Sequence, residues 1–254
     1  RSGWRQMCVL PEDAFDRQPL IGAGGRYVLV ADIRLDNRDD LIRDLSLPSG
    51  QARATSDAAL LLAVLEREGT RCLDRILGGY AIALWDRDKA QLTLARDGMG
   101  EKPLHFHHGK DVFAFSSMPR GLHSLPEVPR GARESRAALL LLQPLGNDSH
   151  SFFAGIDRVH TGHALDVTRN GLRKRRHWDL NRTSIRFGRP EEYVEAAREH
   201  LDRAVRCRLR GQGSVAAHLS GGLDSSGIAA TAARLLSGSG RGVVAYTSVP
   251  RMGF

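Results

Sequence analysis

The alternation of apolar and polar positions predicts strands and helices in turn along residues 26–96. RYVLVADIRL (26–35) is an apolar, β-branched run typical of a strand, and YAIALWD followed by QLTLARD predicts an antiparallel hairpin with its turn at 87–89. Between these strands, AALLLAVLEREG has the apolar spacing of a helix. Thr55-Ser56-Asp57 supplies an N-terminal cap, and Gly69 supplies a stop.

Further elements extend this pattern to about residue 180. The first 25 residues are predicted to be irregular, and DDLIRDLSL, TRCLDRIL and ESRAALLLL (134–142) are predicted to be short helices. Strands are predicted near 103–107, 112–116, 158–159 and 163–167, and Arg169-Asn170-Gly171 predicts a hairpin into LRKRRHW. The pattern predicts an α+β domain of mostly antiparallel sheets over residues 1–184.

The pattern changes after Pro190. EEYVEAAREHLDRAVRCRLR predicts one long amphipathic helix, VAAHL a buried strand, and GIAATAARLL a second helix that ends at a Gly/Ser stop. The apolar run 243–249 predicts another strand. A strand–helix–strand unit implies a parallel sheet, so residues 185–254 are predicted to begin an α/β domain.

The turn between the first of these strands and its helix carries the most specific chemistry. It reads SGGLDSS (220–226), with two glycines, one aspartate and three serines. Adjacent glycines and a helix N-terminus point backbone N–H groups at an anion. Asp224 would repel a phosphate unless a divalent cation lay between them. The alternative is an ordinary glycine-rich turn capped by serines.

Composition narrows the class of protein. The 254 residues carry a net charge of +8 and three isolated cysteines, and no apolar run is long enough to cross a membrane. We therefore expect no membrane partner, no disulfide or zinc framework, and a reducing, cytoplasmic location. The basic cluster Arg173–Arg176 has no nucleic-acid-binding motif beside it, so we expect a solvated hairpin or a contact to an acidic substrate.

LSGGLDSS resembles the pyrophosphate loop of ATP-pyrophosphatases, and at this distance along the chain it resembles the asparagine synthetase family. The resemblance implies ATP and Mg²⁺ as cofactors and an α/β adenine-nucleotide-binding domain. It implies Mg²⁺ coordination by Asp224 and a place near the nucleotide for Leu219 and Val249 at two strand ends. It also implies that pyrophosphate is held by Ser220, Gly221, Gly222, Ser225 and Ser226.

The front part is similar to the glutaminase domain of the same family. The segments that carry the similarity are ADIRLDNRDDL, SDAALLLAVLEREG, LGGYAIALWDRDKAQLTLARDGMGEKPLHFH and FAFSSMPRGL. The resemblance implies an N-terminal-nucleophile-hydrolase-like α+β fold with two stacked antiparallel sheets.

Several departures from that family bear on activity. Its working glutaminase begins with a cysteine, whereas residue 1 here is Arg, and Cys8 lies only 29 residues before Asn37, too close for the family's usual substrate loops. Asp32-Ile33 stands where the family has the Asn-Gly pair of its oxyanion hole. Asp57 alone matches the glutamine-holding residues, and with Ser56 it has the alternative role of a helix cap. We expect a glutaminase that is inactive or that has lost its N-terminus.

A glutaminase-like domain without a nucleophile resembles the branch that includes β-lactam synthetases and lasso-peptide cyclases. We therefore predict an amide-forming ligase that adenylates a small-molecule or peptide carboxylate. A glutamine-hydrolysing asparagine synthetase and a non-catalytic nucleotide-binding product stay open as alternatives, as does a homodimer. Because the phosphate loop lies close to the end of the sequence, we also expect a fragment or a truncated product. His105, His107 and His108 suggest a metal site, but a polar strand end is the favoured interpretation.

Overall fold

The computed structural model describes residues 8–142 and 149–248, which form two compact units. The first unit lies within Phe15–Leu180. The second comprises residues 181–248 together with 8–14. Each unit is described by itself below.

Antiparallel strands build the first unit. In chain order they are β1 (Leu20–Ile21), β2 (Tyr27–Leu35), β3 (Gly78–Asp86), β4 (Gln91–Arg96), β5 (His105–His108), β6 (Phe113–Ser116), β7 (Asp157–Arg158), β8 (His163–Thr168) and β9 (Gly171–Arg176). One sheet has the order β1-β2-β3-β4-β8-β9, and the other has the order β6-β5-β7. Neighbouring strands are antiparallel throughout both sheets. The predicted antiparallel α+β class is confirmed.

The two predicted hairpins are present. β3 and β4 pair from Asp86 with Gln91 to Ala81 with Arg96. β8 and β9 pair from Thr168 with Gly171 onwards, so Asn170 lies in the turn. Gly171 has a φ of 132°, which a side chain would strain, and this explains the glycine after Asn170.

The helices of the first unit are α1 (Arg38–Asp44), α2 (Ser49–Arg53), α3 (Asp57–Glu68), α4 (Pro119–Leu122) and α5 (Glu134–Leu142). α1 and α3 cover one face of the larger sheet, whereas α4 packs on the smaller sheet. α3 begins where Ser56 Oγ accepts a hydrogen bond from the Ala59 N–H at 3.1 Å. It ends at Gly69, whose φ is 66°. Its apolar face, including Leu61 and Leu65, packs with residues of β2 and β3 in one buried core.

The opposite face of the larger sheet packs on the smaller sheet. Ala83 of β3, Leu94 of β4 and Leu165 of β8 are buried there. Phe106 and Phe115 of the smaller sheet pack against them. The first unit is therefore layered as helices, a six-stranded sheet and a three-stranded sheet, which is the stacked arrangement that the resemblance implied.

The second unit contains a parallel strand pair. Its elements are α6 (Pro190–Arg208), β10 (Val215–His218), α7 (Leu223–Leu236) and β11 (Val243–Tyr246). β10 and β11 are parallel, with Val215 opposite Val243, as the strand–helix–strand pattern predicts. Val205 of α6 and Leu209 at its C-cap meet Ala232 and Leu236 of α7 in a small core. In the described residues, no helix is both long and apolar enough to cross a membrane.

The structure corrects several predicted boundaries. α7 begins at Leu223, four residues before the predicted start at Gly227, because aspartate and serine suit the first turn of a helix as well as a loop. TRCLDRIL forms a 3₁₀-helix over Gly69–Asp74. β1 and a 3₁₀-helix at Pro11–Phe15 occur in the segment that was expected to be irregular.

Candidate functional site

The loop between β10 and α7 is held at the C-terminal ends of two parallel strands. The Leu219 N–H donates to the Tyr246 carbonyl at 2.8 Å, and the Thr247 hydroxyl donates to the Leu219 carbonyl. These bonds fix the point where the chain leaves β10. The sequence does not single out Thr247, because the predicted strand 243–249 runs through it, whereas β11 ends at Tyr246.

Two glycines shape the turn itself. Gly221 has a φ of 79°, in the left-handed region that favours glycine. Gly222 is the N-cap of α7 and has no side-chain cap. The first N–H groups of a helix have no partner within the helix, so this end of α7 presents backbone donors beside a turn made of two glycines.

Serine hydroxyl groups converge on the same turn. Ser220 Oγ and Ser225 Oγ lie 3.1 Å apart, and the Ser220 N–H donates to Ser225 Oγ at 3.2 Å. Ser225 Oγ also donates to the Gly222 carbonyl at 3.2 Å. The Ser226 N–H donates to the same carbonyl and so makes the first intrahelical bond. The turn is closed by hydrogen bonds between its own hydroxyl groups and backbone.

Asp224 occupies the first turn of α7 and is exposed. Its neighbour Leu223 is 92% exposed, so neither side chain serves the core of the unit. Among the described residues, no three His, Cys, Asp or Glu side chains gather into a metal site. A Mg²⁺ ion at Asp224 would therefore take its other ligands from phosphate oxygens and water. Val249, the other predicted neighbour of the nucleotide, lies outside the described residues.

Asp57 lies in the first unit, where its buried carboxylate is bonded to two other parts of the chain. Its side chain is 3% exposed, and Oδ1 accepts from Arg38 Nη1 at 2.7 Å. Oδ2 accepts from the Leu35 N–H at 2.8 Å. Ser56, not Asp57, is the N-cap of α3. Asp57 thus joins the end of β2 to the start of α3, and its predicted contact with glutamine would need an oxygen that already has a partner.

The segment RLDNR (34–38), part of the stretch that resembles the glutaminase domain, is similarly engaged. Arg34 pairs with Asp36 at 3.0 Å. Asn37 accepts from the Leu77 N–H at 3.0 Å and donates to the Arg75 carbonyl at 2.9 Å, so it fixes the entry to β3. These side chains hold the fold together.

Asp32 and Ile33 lie within β2, opposite Ala81 and Tyr80 of β3. Their backbone therefore belongs to a regular ladder. The Asp32 carboxylate pairs with Lys102 at 2.8 Å. An anionic side chain at this point cannot donate to a developing oxyanion, which needs hydrogen-bond donors.

The segment RDGMGEKPL (96–104) forms a loop that is held by hydrogen bonds from two of its own side chains. The guanidinium of Arg96 donates to the carbonyls of Lys102 and Gly100 at 2.7 and 2.8 Å. The buried carboxylate of Asp97 accepts from the N–H groups of Tyr80 and Glu101 at 3.2 and 2.9 Å. The residues that carry the resemblance here stabilise the loop after β4.

The three histidines of β5 do not form a metal site in the described part of the chain. His107 Nδ1 lies 2.7 Å from the Gly155 carbonyl, and His105 Nδ1 lies 3.1 Å from the Ser117 carbonyl. Burial lowers the pKa of His105. His108 packs edge-on against Phe113. The polar strand end is the interpretation that this geometry supports.

Comparison with protein families matches both parts of the chain. Residues 2–178 match the model of the glutamine amidotransferase domain, and residues 196–249 match the model of asparagine synthase. Two Bacillus subtilis proteins, asparagine synthetase [glutamine-hydrolyzing] 2 and 3, are each 30% identical over 85% of this chain. The chain covers 30% and 36% of their lengths, about a third of each.

The chain is also similar to proteins that are not named asparagine synthetases. The amidase chry2 of Gibberella zeae is 34% identical over 71% of this chain, which covers 27% of that protein. Among solved structures, glutamine phosphoribosylpyrophosphate amidotransferase from B. subtilis, in complex with ADP and GMP, is 17% identical. It covers 90% of this chain, and 48% of its own chain is covered, with a TM-score of 0.44.

Proposed function

Since the chain belongs to the family of glutamine amidotransferase domains and continues into an asparagine synthase segment, we propose that it takes part in ATP-dependent amide formation. In this reaction a substrate carboxylate attacks the α-phosphorus of ATP, pyrophosphate leaves, and an amine then displaces AMP to form the amide. The carboxylate belongs to a small molecule or a peptide.

The observation that carries this proposal is the turn at the start of α7. A left-handed glycine and an uncapped helix N-terminus lie at the C-terminal ends of two parallel strands, and the Ser220 and Ser225 hydroxyl groups lie beside them. A phosphate chain bound there would receive hydrogen bonds from backbone N–H groups, and from the serine hydroxyls once these exchange their bonds within the turn for bonds to phosphate. Asp224 would hold Mg²⁺ against that chain, because a carboxylate and phosphate oxygens are its usual ligands.

We further propose that the first unit does not hydrolyse glutamine. Both oxygens of Asp57 have partners, and Asp32 is paired with Lys102 inside a regular ladder. The amine would then come from the substrate. The alternative is a glutamine-hydrolysing asparagine synthetase, which the identity to the two B. subtilis proteins favours.

Nucleotide binding is tested by calorimetry of ATP with and without Mg²⁺. Asp224→Asn should weaken Mg²⁺-dependent binding by at least about tenfold. Without Mg²⁺ it should leave binding unchanged or improve it, because the carboxylate repels phosphate.

Glu191→Gln is the matched control. Glu191 is also the second residue of an exposed helix start, so the substitution removes the same charge from an equivalent position. It should not alter binding. Equal affinities of Asp224→Asn and the parent chain for Mg²⁺–ATP would remove Asp224 from the site.

Ammonia release from glutamine tests the second part of the proposal. The parent chain should release no ammonia above a protein-free blank, in a preparation already found to bind Mg²⁺–ATP. Sustained release that scales with protein concentration would favour the glutamine-hydrolysing alternative.

A further inference from the structure

A polar cavity of about 460 Å³ lies in the first unit, beside the β8–β9 hairpin. The 3₁₀-helix after α3 contributes Thr70, and the turn between β3 and β4 contributes Lys89. The hairpin contributes Asp166, Asn170, Arg173 and Arg175. This volume is in the range of small-molecule sites, about 300–1,000 Å³. None of the residues assigned to the proposed reaction lines it.

The strand period explains why only part of the basic cluster faces this cavity. Alternate residues of a strand point to opposite faces. Arg173 and Arg175 line the cavity, whereas Lys174 and Arg176 between and beyond them do not. Arg176 instead pairs with Asp179. The run that looks like one basic patch in the sequence is therefore two separate features.

The cavity carries excess positive charge. Its lining contains three cationic side chains, those of Lys89, Arg173 and Arg175, and one carboxylate, that of Asp166. That carboxylate is already engaged: Oδ1 accepts from the Thr93 hydroxyl at 2.8 Å, and Oδ2 accepts from Arg175 Nε at 3.1 Å. Arg173 lies farther from it, at 3.9 Å, and its side chain is 79% exposed. The local charge favours an anionic ligand.

One donor in this cluster has no acceptor. Nη2 of Arg175 is buried and makes no hydrogen bond to any described residue. A buried donor left unpaired is costly, and most such groups in proteins have a partner. The guanidinium is held by Asp166 through Nε, and the side chain is 23% exposed, so Arg175 borders the cavity with one donor still unpaired.

We propose that this cavity binds a small dianion of the phosphate type, through Arg173, Arg175 and Lys89. Arginine side chains match the geometry of phosphate oxygens, and lysine adds a compact charge. A doubly charged anion balances the three cations and one carboxylate of the lining. The proposal is independent of nucleotide binding by the second unit.

Titration of the full chain with inorganic phosphate, at ionic strength held constant with chloride, tests this site. The ¹⁵N-resolved Nε–H signal of Arg175 should shift and saturate. Arg173→Gln and Lys89→Gln should each weaken phosphate binding about threefold to tenfold. Lys174→Gln, on the other face of the same strand, should weaken it by less than about twofold. Arg173 is exposed and Lys89 lies in a turn, so both variants should fold.

Two outcomes would overturn the proposal. An Arg175 signal that fails to shift, or that shifts equally with chloride, would mean that the cavity has no anion site. Equal weakening by Lys174→Gln and Arg173→Gln would mean nonspecific attraction of anions to the charged hairpin and not a site in the cavity.

Discussion

Replacing Asp57 with asparagine tests the buried ion pair that joins β2 to α3. The change keeps the shape of the side chain but removes its charge. An asparagine can still accept one hydrogen bond through its oxygen, but its amide nitrogen cannot accept the second. Either Arg38 or the Leu35 N–H therefore loses its acceptor.

The expected cost follows from the burial of both partners. The side chains of Arg38 and Asp57 are 6% and 3% exposed. Removing one member of a buried pair typically costs about 3–5 kcal/mol, because the other charge stays buried. Arg38 also donates to the carbonyls of Ala52 and Thr55 at 2.6 Å, which keep it in place and offset part of the loss. We expect about 3 kcal/mol, or roughly 6–12 °C in Tm.

Hydrogen exchange at the Leu35 amide is the most direct assay, because that N–H bonds to Asp57 itself. Its protection should fall together with the free energy of unfolding from urea titration. Asp39→Asn, an exposed acid in the first turn of α1, is the matched control and should change stability by less than about 0.5 kcal/mol. An Asp57→Asn chain as stable as the control, with Leu35 still protected, would refute the structural role and return Asp57 to the candidates for glutamine binding.

The remaining predictions concern the pH dependence of stability, the reactivity of the cysteines and the turn before α7. Burial lowers the pKa of His105 and of His177 from 6.5, so protonation favours the unfolded chain. The contribution of these two histidines to the free energy of unfolding should be fully present above about pH 6.5 and should be lost as the pH falls below that value. The loss should be smaller in His177→Gln. Urea unfolding at several pH values measures it. Burial also raises the pKa of the Cys72 thiol to about 12. Iodoacetamide should therefore label the exposed Cys8 long before Cys72, and equal rates would contradict this burial. Gly221→Ala should destabilise the turn by about 1 kcal/mol and weaken Mg²⁺–ATP binding in calorimetry, whereas an unchanged affinity would argue against a preformed loop.

The strands and α3 were predictable because their periods are local properties. β2, β3 and β4 follow the apolar runs, and α3 follows its helical spacing and its serine cap. The parallel pairing of β10 and β11 followed from the helix between them. Each of these inferences needed only a short window of sequence.

Features that depend on distant partners were not predictable in the same way. Asp57 looks like a cap residue in the sequence, and only the fold brings Arg38 to it. The basic run 173–176 does not reveal which members share a cavity with Lys89 until the strand register is known. The start of α7 was placed four residues late because the same aspartate and serines suit a loop and a helix start.

The small core of the second unit bears on how that unit folds. Four buried side chains from α6, its C-cap and α7 form its centre, and β10 and β11 each keep exposed positions. Segments with few buried contacts open at a lower free energy than a large core does. A ligand that binds only the folded unit, at a concentration a hundred times its dissociation constant, would stabilise that unit by about 2.7 kcal/mol. If the turn at α7 binds nucleotide, nucleotide binding would therefore stabilise the fold of the second unit, and the fraction of that unit which is folded would rise with nucleotide concentration.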